Sequence, residues 1–145
     1  MELALVEARS AVEHDDVPVG AVAVVGEGVV ARRHNERELH QDPVAHAEIL
    51  ALRDAAAHLG TWRLDRVTLV VTLEPCSMCA GALVAARVGR LVFGATDPKA
   101  GACGSLYNLC ADPRLNHELE VVPGIQAERC AALLEQFFSS RRTVR

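Results

Sequence analysis

The most constraining feature of the sequence is a long apolar run whose periodicity changes twice. Residues 67–74, "VTLVVTLE", are almost continuously apolar and rich in β-branched side chains, which is typical of a strand buried on both faces. Residues 76–89, "CSMCAGALVAARVG", are spaced as a helix that ends at Gly89, and residues 90–96, "RLVFGAT", form a second apolar strand. Strands of this kind need helices over both faces, so the run predicts an α/β protein.

The segments on either side extend the same alternation to the whole chain. Apolar residues at helical spacing predict a first helix over residues 3–14. The other predicted elements are a strand in "VPVGAVAVVG" that Pro18 opens, a strand from Val29 to about Arg33, a polar loop in "NERELHQDP", a helix from near Ala45 that Gly60 stops, a short irregular or helical piece over residues 106–109, a strand in "LEVVPG" and a helix in "QAERCAALLEQFFSSRR". This order predicts one domain over residues 1–145, a mixed sheet with helices on both faces.

Length and composition are those of one soluble domain. The chain has 145 residues, 50% of them hydrophobic, and no apolar run is long enough to cross a membrane. The N-terminal segment is acidic and lacks the basic start and apolar core of a signal peptide. We therefore expect a soluble, cytoplasmic protein with no membrane partner.

Charge and cysteine content disfavour several classes of function. A net charge of -4 with only 3% aromatic residues disfavours a general nucleic-acid binder, because such proteins are usually basic. Five cysteines, an odd number, in a chain without an export signal disfavour a disulfide framework. Cys103, Cys110 and Cys130 are therefore expected to be small, buried hydrophobic residues.

Two short segments together carry donor atoms for a metal ion. "AHAE" contains His46, "PCSMC" contains Cys76 and Cys79, and each segment stands where a helix is predicted to begin. One imidazole and two thiolates are three zinc ligands, which leaves the fourth position of a catalytic zinc site for water. The partial positive charge of a helix N-terminus also stabilises thiolates.

Glu48 is the candidate for proton transfer in such a site. It lies two residues after His46, so in the first turn of a helix the two side chains point in different directions. A carboxylate beside a metal ion, but not bound to it, can take a proton from water and pass it to a leaving group. The pattern therefore predicts a general acid and base at Glu48.

Two other uses of the cysteine pair are compatible with its spacing. A Cys-x-x-Cys pair in a cytosolic protein can be a thioredoxin-like redox couple, but such a couple usually has no separate His-x-Glu helix. A structural zinc site needs a fourth ligand, for which His40 and His117 are available although no pattern surrounds them. We favour the catalytic zinc site over both.

The same segments resemble the signature of the zinc-dependent nucleobase deaminases, His-x-Glu followed by Pro-Cys-x-x-Cys. The chain is further similar to the bacterial tRNA-specific adenosine deaminases, which make inosine at the wobble position of the anticodon. The similar stretches are "VPVGAV", "HN" before "DPVAHAEILALR", the run from "TLVVTLEPCSMC" to "TDPKAGACGSL", "LNHELEV" and "GIQAERCAALLEQFF". The resemblance implies a three-layer α/β/α cytidine deaminase-like fold with a mixed central sheet of about five strands.

The resemblance also implies a cofactor and a reaction. His46, Cys76 and Cys79 would hold one zinc ion per chain. Zinc-bound hydroxide would attack C6 of adenine while Glu48 protonates a ring nitrogen and then the leaving ammonia. The implied partners are a tRNA anticodon stem-loop, that of an arginine tRNA, and a second copy of the chain in a homodimer. An anticodon loop offers bases that leave their stack at little cost, so the enzyme can grip one loop without a basic surface.

Further positions match the family's substrate-binding residues. They are Asn35 for the flipped adenine, Asp97 and Lys99 for the sugar and phosphate of the target nucleotide, and Asn116, Phe138 and Arg142 near the RNA. Without the resemblance, Asn35 and "TDPK" would be interpreted as turns and Phe138 as core of the last helix. Arg141, Arg142 and Arg145 at the end of that helix fit either an interaction with the helix dipole or a phosphate clamp.

Two alternative functions compete with this interpretation. A sequence pI of about 5.8 and few aromatic residues also suit a small-molecule deaminase that acts on guanine, cytosine or a free nucleoside. A zinc-stabilised binding module without catalysis is the second alternative. Glu48 discriminates against it, because a structural zinc site has no use for that carboxylate.

Overall fold

The computed structural model describes residues 1–144, with side chains to residue 142. Of the three C-terminal arginines considered above, Arg145 lies outside the described residues. The elements are α1 (Glu2–Ala11), a 3₁₀ turn (Val12–His14), β1 (Gly20–Val25), β2 (Gly28–His34), α2 (Arg37–His40), α3 (Ala47–Leu59), β3 (Thr68–Leu73), α4 (Ser77–Ala85), β4 (Arg90–Ala95), a second 3₁₀ turn (Leu109–Ala111), β5 (Glu120–Val122) and α5 (Ala127–Val144).

The strands form one mixed, five-stranded sheet in the order β2-β1-β3-β4-β5. β1 is antiparallel to both β2 and β3, whereas β3, β4 and β5 run parallel to one another. Leu69 of β3 pairs with Leu91 of β4, and both side chains are fully buried, as their continuously apolar strands require. The predicted α/β class and mixed sheet are confirmed.

Helices cover both faces of the sheet because alternate strand residues point in opposite directions. Ala21 and Ala23 of β1 join the main core, to which α3 and α4 contribute their apolar sides. Gly20 points to the other face, where a Cβ would collide with the backbone of α1 at Ala4. Gly94 of β4 makes a similar close approach to Cys130 of α5. The fold therefore has three layers, α3 and α4 on one side and α1 and α5 on the other.

The segment "NERELHQDP", predicted to be a loop, contains the short helix α2. Two backbone N–H groups in the first turn of this helix, those of Glu38 and Leu39, donate to the carboxylate of Asp16 at 2.9 and 3.2 Å. Asp16 is buried and lies far from these residues in sequence. A helix cap that comes from a residue distant in sequence leaves no pattern in the sequence of the helix itself. The prediction of a loop was therefore wrong here.

The helix after the cysteines ends at Ala85, before the predicted stop at Gly89. Arg87 takes the left-handed conformation, with φ 62°, and the Val88 N–H returns to the carbonyl of Leu83 at 3.1 Å. This is a Schellman end in which arginine occupies the place where glycine is usual. Gly89 serves another purpose, because a Cβ there would collide with the Asp65 carbonyl. The short irregular or helical piece predicted at residues 106–109 is irregular up to Asn108, and a 3₁₀ turn begins only at Leu109 and ends at Ala111.

The three isolated cysteines are buried, as their residue type predicts. Cys103, Cys110 and Cys130 are all at most 6% exposed. The sulfurs of Cys103 and Cys110 lie 3.6 Å apart, and all five cysteines are free thiols. Within the described residues, no helix combines the length and apolar character needed to cross a membrane.

The contact between α1 and β1 gives a testable prediction for stability. Gly20→Ala forces a methyl group into the backbone of α1, and we expect it to lower the free energy of unfolding by roughly 2 to 3 kcal/mol. Gly28→Ala is the matched control, because a Cβ there meets only the Val25 carbonyl oxygen, at 3.6 Å. Urea unfolding of both variants measures the difference. Equal stability of the two would contradict the close packing of α1 on the sheet.

Candidate active site

Two helix N-termini bring the metal-binding side chains together. His46 immediately precedes α3 and Cys76 immediately precedes α4, and both have extended backbone conformations. β3 delivers the chain to Cys76, and α4 then places Cys79 one turn into the helix. The partial positive charge of the two N-termini lies close to the sulfur atoms, which favours thiolates.

The donor atoms of His46, Cys76 and Cys79 form one compact group. Nδ1 of His46 lies 3.7 Å from Sγ of Cys76 and 3.5 Å from Sγ of Cys79, and the three atoms lie within 4.8 Å of one another. One imidazole nitrogen and two sulfurs are the donor set that zinc prefers in proteins. The group thus fits a metal ion.

The other candidate ligands do not join this group. Nε2 of His40 is paired with Glu36 at 2.8 Å, and Nε2 of His117 donates to the carbonyl of Val88 at 2.8 Å. In the part of the chain that the structure describes, the metal-binding group contains only the three residues above. That composition is expected of a catalytic site and differs from the four protein ligands of a structural zinc site.

The three groups also shift one another's pKa. The Cys79 thiol donates to Cys76, and with the contact to His46 this lowers the pKa of Cys76 to about 3. The pKa of Cys79 is raised, because it is the donor in that bond and is buried. The pKa of His46 is raised, chiefly by its bond to Cys76. Cys76 is therefore ready as a thiolate, the form in which sulfur binds metals.

Glu48 lies beside the metal-binding group and outside it. It stands in the first turn of α3, is only 4% exposed and lines the same cavity as His46 and Cys76. Burial raises the pKa of its carboxyl group. A buried carboxyl next to a metal-binding group, but not part of it, is suited to exchanging protons with a substrate.

Two connected cavities lie above these residues. The smaller, of about 170 Å³, is lined by His46, Glu48 and Cys76 at its base. The larger, of about 750 Å³, is bordered by residues of α5 and of the loop after β4. Asp97 and Ala100 line both, so a narrow pocket over the metal-binding group opens into a wide one.

Asn35, for which the family resemblance implies a contact with adenine, lines the narrow cavity. Its Oδ1 accepts the N–H of Ala47 at 2.8 Å, which caps α3, and its Nδ2 donates to the carbonyl of Val17 at 3.0 Å. These bonds fix the orientation of the amide. One N–H and one lone pair of the amide are not used by these bonds.

The other predicted substrate residues fall into two groups. Asp97 lines both cavities, while Lys99, Phe138 and Arg142 line the wide one. Asn116 lies on an exposed bend before β5 and lines neither cavity. Phe138 is 44% exposed, and it is Phe137 that is buried, so Phe138 is not a core residue.

Sequence reasoning missed three charged residues that line the narrow cavity: Asp16, Arg37 and Glu74. Asp16 and Arg37 lie in polar segments without a local pattern. Glu74 did carry a signal, because it is a charged residue at the end of an otherwise apolar strand segment. Its side chain is 2% exposed, which calls for a compensating set of hydrogen bonds.

Comparison with known proteins shows the family to which the chain belongs. The family model described as MafB19-like deaminase matches residues 1–142. The tRNA-specific adenosine deaminase of Bacillus subtilis is 51% identical over 142 residues, which cover 98% of this chain and 88% of that protein. The tRNA-specific adenosine deaminase of Agrobacterium fabrum is 48% identical, over 98% of this chain and 93% of that protein.

Solved structures show the same fold. One of them comes from biochemical and structural studies of A-to-I editing by tRNA:A34 deaminases at the wobble position of transfer RNA. It superposes with a TM-score of 0.89 at 48% identity, over 92% of this chain and 97% of that chain. A guanine deaminase from Nitrosomonas europaea superposes with a TM-score of 0.79 at 27% identity, over 95% of this chain and 82% of that chain. The chain therefore belongs to the MafB19-like deaminases and, within them, to the family of tRNA-specific adenosine deaminases.

Proposed function

We propose that this protein hydrolytically deaminates adenosine to inosine at the wobble position of tRNA. The observation that carries the proposal is the form of the site: a narrow pocket over the metal-binding group opens into a wide cavity bordered by Lys99, Arg141 and Arg142. A free nucleobase needs only the narrow pocket. A nucleotide that remains attached to its RNA needs the wide cavity and the cations on its border as well.

His46, Cys76 and Cys79 would hold one zinc ion. The donor set and the spacing of its atoms support this choice. When bound, zinc supplies Lewis acidity, which lowers the pKa of water and makes it nucleophilic near neutral pH. The chain itself contributes the orientation of the ligands, since two helix starts hold His46 and Cys76 in place.

Glu48 would carry the protons. Its carboxylate accepts a proton from the attacking water and donates it to a ring nitrogen of adenine; the second proton goes to the amino group on C6. The C6–N bond then breaks, ammonia leaves, and oxygen remains on C6. Burial of Glu48 keeps bulk water from competing for these protons.

The narrow pocket accepts a base only after it has left its stack. At about 170 Å³ it has room for one base and none for a base pair. Asn35 would bind the base edge with the hydrogen-bonding capacity left on its amide. An anticodon loop is a suitable substrate because its unpaired bases swing out at little cost. These features support a tRNA anticodon loop as the substrate. We propose that the tRNA is an arginine tRNA.

The wide cavity would hold the RNA on either side of the target base. Lys99 and Arg142 are exposed cations on its border, and the ring of Phe138 is available for stacking. Asp97 would bind the sugar of the target nucleotide, and Asn116 would contact RNA farther from the pocket. Asp97 Oδ1 accepts the N–H groups of Lys99 and Ala100 at 3.1 and 3.2 Å, which shapes this loop.

We also propose a homodimer. An open apolar groove of about 380 Å³ lies on the outer side of α3 and α4, and it includes Trp62, which is 61% exposed. Exposed apolar patches of this kind are typical of protein interfaces. A partner subunit seated there would cover the tryptophan.

The function is tested with the zinc-loaded protein and an arginine tRNA transcript that carries adenosine at the first anticodon position. We expect inosine at that position alone, scored by nuclease digestion and mass analysis. The controls are the same tRNA with guanosine there, and free adenosine, guanine and cytidine. Turnover of a free base or nucleoside without turnover of tRNA would instead establish a small-molecule deaminase.

A second prediction tests the role of Glu48. Glu48→Ala should keep about one zinc ion per chain, because the carboxylate is not among the proposed ligands. Its kcat should fall on the order of 10² to 10⁴-fold, as expected for a lost general acid and base. Metal analysis and single-turnover kinetics measure both quantities, with the exposed Glu120→Ala as control. Loss of zinc from Glu48→Ala would identify Glu48 as a ligand and overturn the mechanism.

A third prediction concerns the cations of α5. Arg141 pairs with Asp15 at 2.7 Å and lies over the Phe137 ring, whereas Arg142 is exposed. Replacement of both arginines by alanine should raise KM for tRNA and reduce the slope of log KM against log salt by about 1 to 2.

The control for this measurement is Arg90→Ala. Arg90 begins β4, at the end of the strand opposite the cavities, and it is also half exposed and paired with a carboxylate. It should change neither KM nor the salt slope. An unchanged slope in the double variant would assign Arg141 and Arg142 to stabilisation of the helix end.

A further inference from the structure

Glu74 is a buried carboxylate that the mechanism above does not use. It follows β3 directly and stands two residues before Cys76. Its Oε1 accepts the backbone N–H of Asp97 at 3.0 Å and the hydroxyl of Ser105 at 2.5 Å. Its Oε2 accepts the backbone N–H groups of Cys103 and Ser105, each at 3.0 Å. All four donors belong to the loop that follows β4.

The same loop borders both cavities. Its first part contains Asp97 and Lys99, the proposed contacts to the target nucleotide. Its second part, Cys103 to Ser105, contributes no residue to either cavity lining. Glu74 therefore binds both parts of the loop, although only the first part lines the cavities.

Further backbone contacts join the loop to the cysteine segment. The Ala102 N–H donates to the Pro75 carbonyl at 2.8 Å, and Gly101 forms an antiparallel bridge with Cys76. Gly101 is also the residue that makes room for Glu74, because a Cβ at position 101 would collide with the carboxylate. The loop is thus wrapped around the Glu74 side chain.

A buried carboxylate in this position destabilises the fold unless its oxygens accept hydrogen bonds. Burial opposes the charge of Glu74, and the four hydrogen bonds from Asp97, Cys103 and Ser105 offset that cost. An apolar side chain would fill the same space without needing these donors. The carboxylate instead specifies a direction for each of the N–H groups, and so a single conformation of the loop.

We propose that Glu74 is a positioning residue, which sets the substrate loop over the metal-binding group. It lies two residues before Cys76 in the chain and holds Asp97 by its backbone N–H, so it fixes the distance between the proposed zinc ligand and the proposed nucleotide contact. The kinetic part of this inference rests on the proposed function. The structural part, that the loop conformation depends on Glu74, does not.

The test uses Glu74→Gln in the zinc-loaded protein. The amide replaces one carboxylate oxygen by an NH₂ group, so the backbone N–H groups bound to that oxygen, that of Asp97 at Oε1 or those of Cys103 and Ser105 at Oε2, then face another donor. Backbone hydrogen exchange, followed by NMR, should become about tenfold faster at Asp97, Cys103 and Ser105. Zinc content should stay unchanged, and kcat/KM for the tRNA should fall about 10²-fold, mainly through KM, because the loop is misplaced.

Val88→Ala is the control for a general loss of stability. Val88 is fully buried in the main core and makes none of the hydrogen bonds that hold the Glu74 carboxylate. It should raise hydrogen exchange throughout the core without a selective effect on Asp97, Cys103 and Ser105, and it should leave KM unchanged. Equal effects of the two variants on exchange in the loop and on KM would overturn the proposal.

A second variant approaches the same contact from the loop and covers the case in which Glu74→Gln does not fold. Gly101→Ala places a methyl group against the Glu74 carboxylate and 2.6 Å from the Asp97 carbonyl oxygen. It should reproduce the faster exchange and the higher KM. The effects of Gly101→Ala and Glu74→Gln should be less than additive in the double variant, because both disturb one contact.

The outcomes separate this inference from the proposed function. If the wild-type protein deaminates tRNA and both variants keep its KM and its exchange rates, the inference fails and the function stands. If the wild-type protein does not act on tRNA, the function fails, and the exchange rates alone decide whether Glu74 positions the loop. Unchanged exchange at Asp97, Cys103 and Ser105 in the variants would overturn it in either case.

Discussion

The approach of the His46 ring to the sulfurs of Cys76 and Cys79 is the interaction on which the site depends. It requires two helices to begin at one place, and the sheet makes this possible because β1 and β3 are neighbours. α3 packs under this part of the sheet, and α4 begins where β3 ends. His46 and Cys76 therefore each stand at the start of a helix, and the local field at Cys76 also favours the thiolate form.

Buried carboxylates fix the conformation of segments around the metal-binding group. Asp16 caps α2, Glu48 lies beside the metal-binding group, and Glu74 holds the loop after β4. Each is nearly inaccessible to water, and a buried carboxylate that lacked partners would destabilise the fold. Asp16 obtains its partners from backbone N–H groups of the short helix α2, and Glu74 obtains most of its partners from those of the loop after β4. The carboxylates thus give defined conformations to polar segments that line the pocket.

The acidic balance of the chain and an RNA substrate are compatible because the charge is not evenly distributed. Lys99, Arg141 and Arg142 border the wide cavity, although the net charge of the chain is -4. Attraction between a protein and phosphates falls off within about 10 Å at moderate salt, so the cations nearest the substrate matter most. The overall pI is therefore a weak guide to a partner that is held in one cavity.

The sequence by itself determined the alternation of strands and helices and the chemistry of the metal-binding group, because both depend on residue type and local spacing. Tertiary structure decided which residues surround that group. Asp16 caps a helix far along the chain, Asn35 caps α3, and Glu74 collects donors from the loop at residues 97–105. These bonds join segments that are distant in sequence, and no local pattern records which backbone groups a buried side chain will meet.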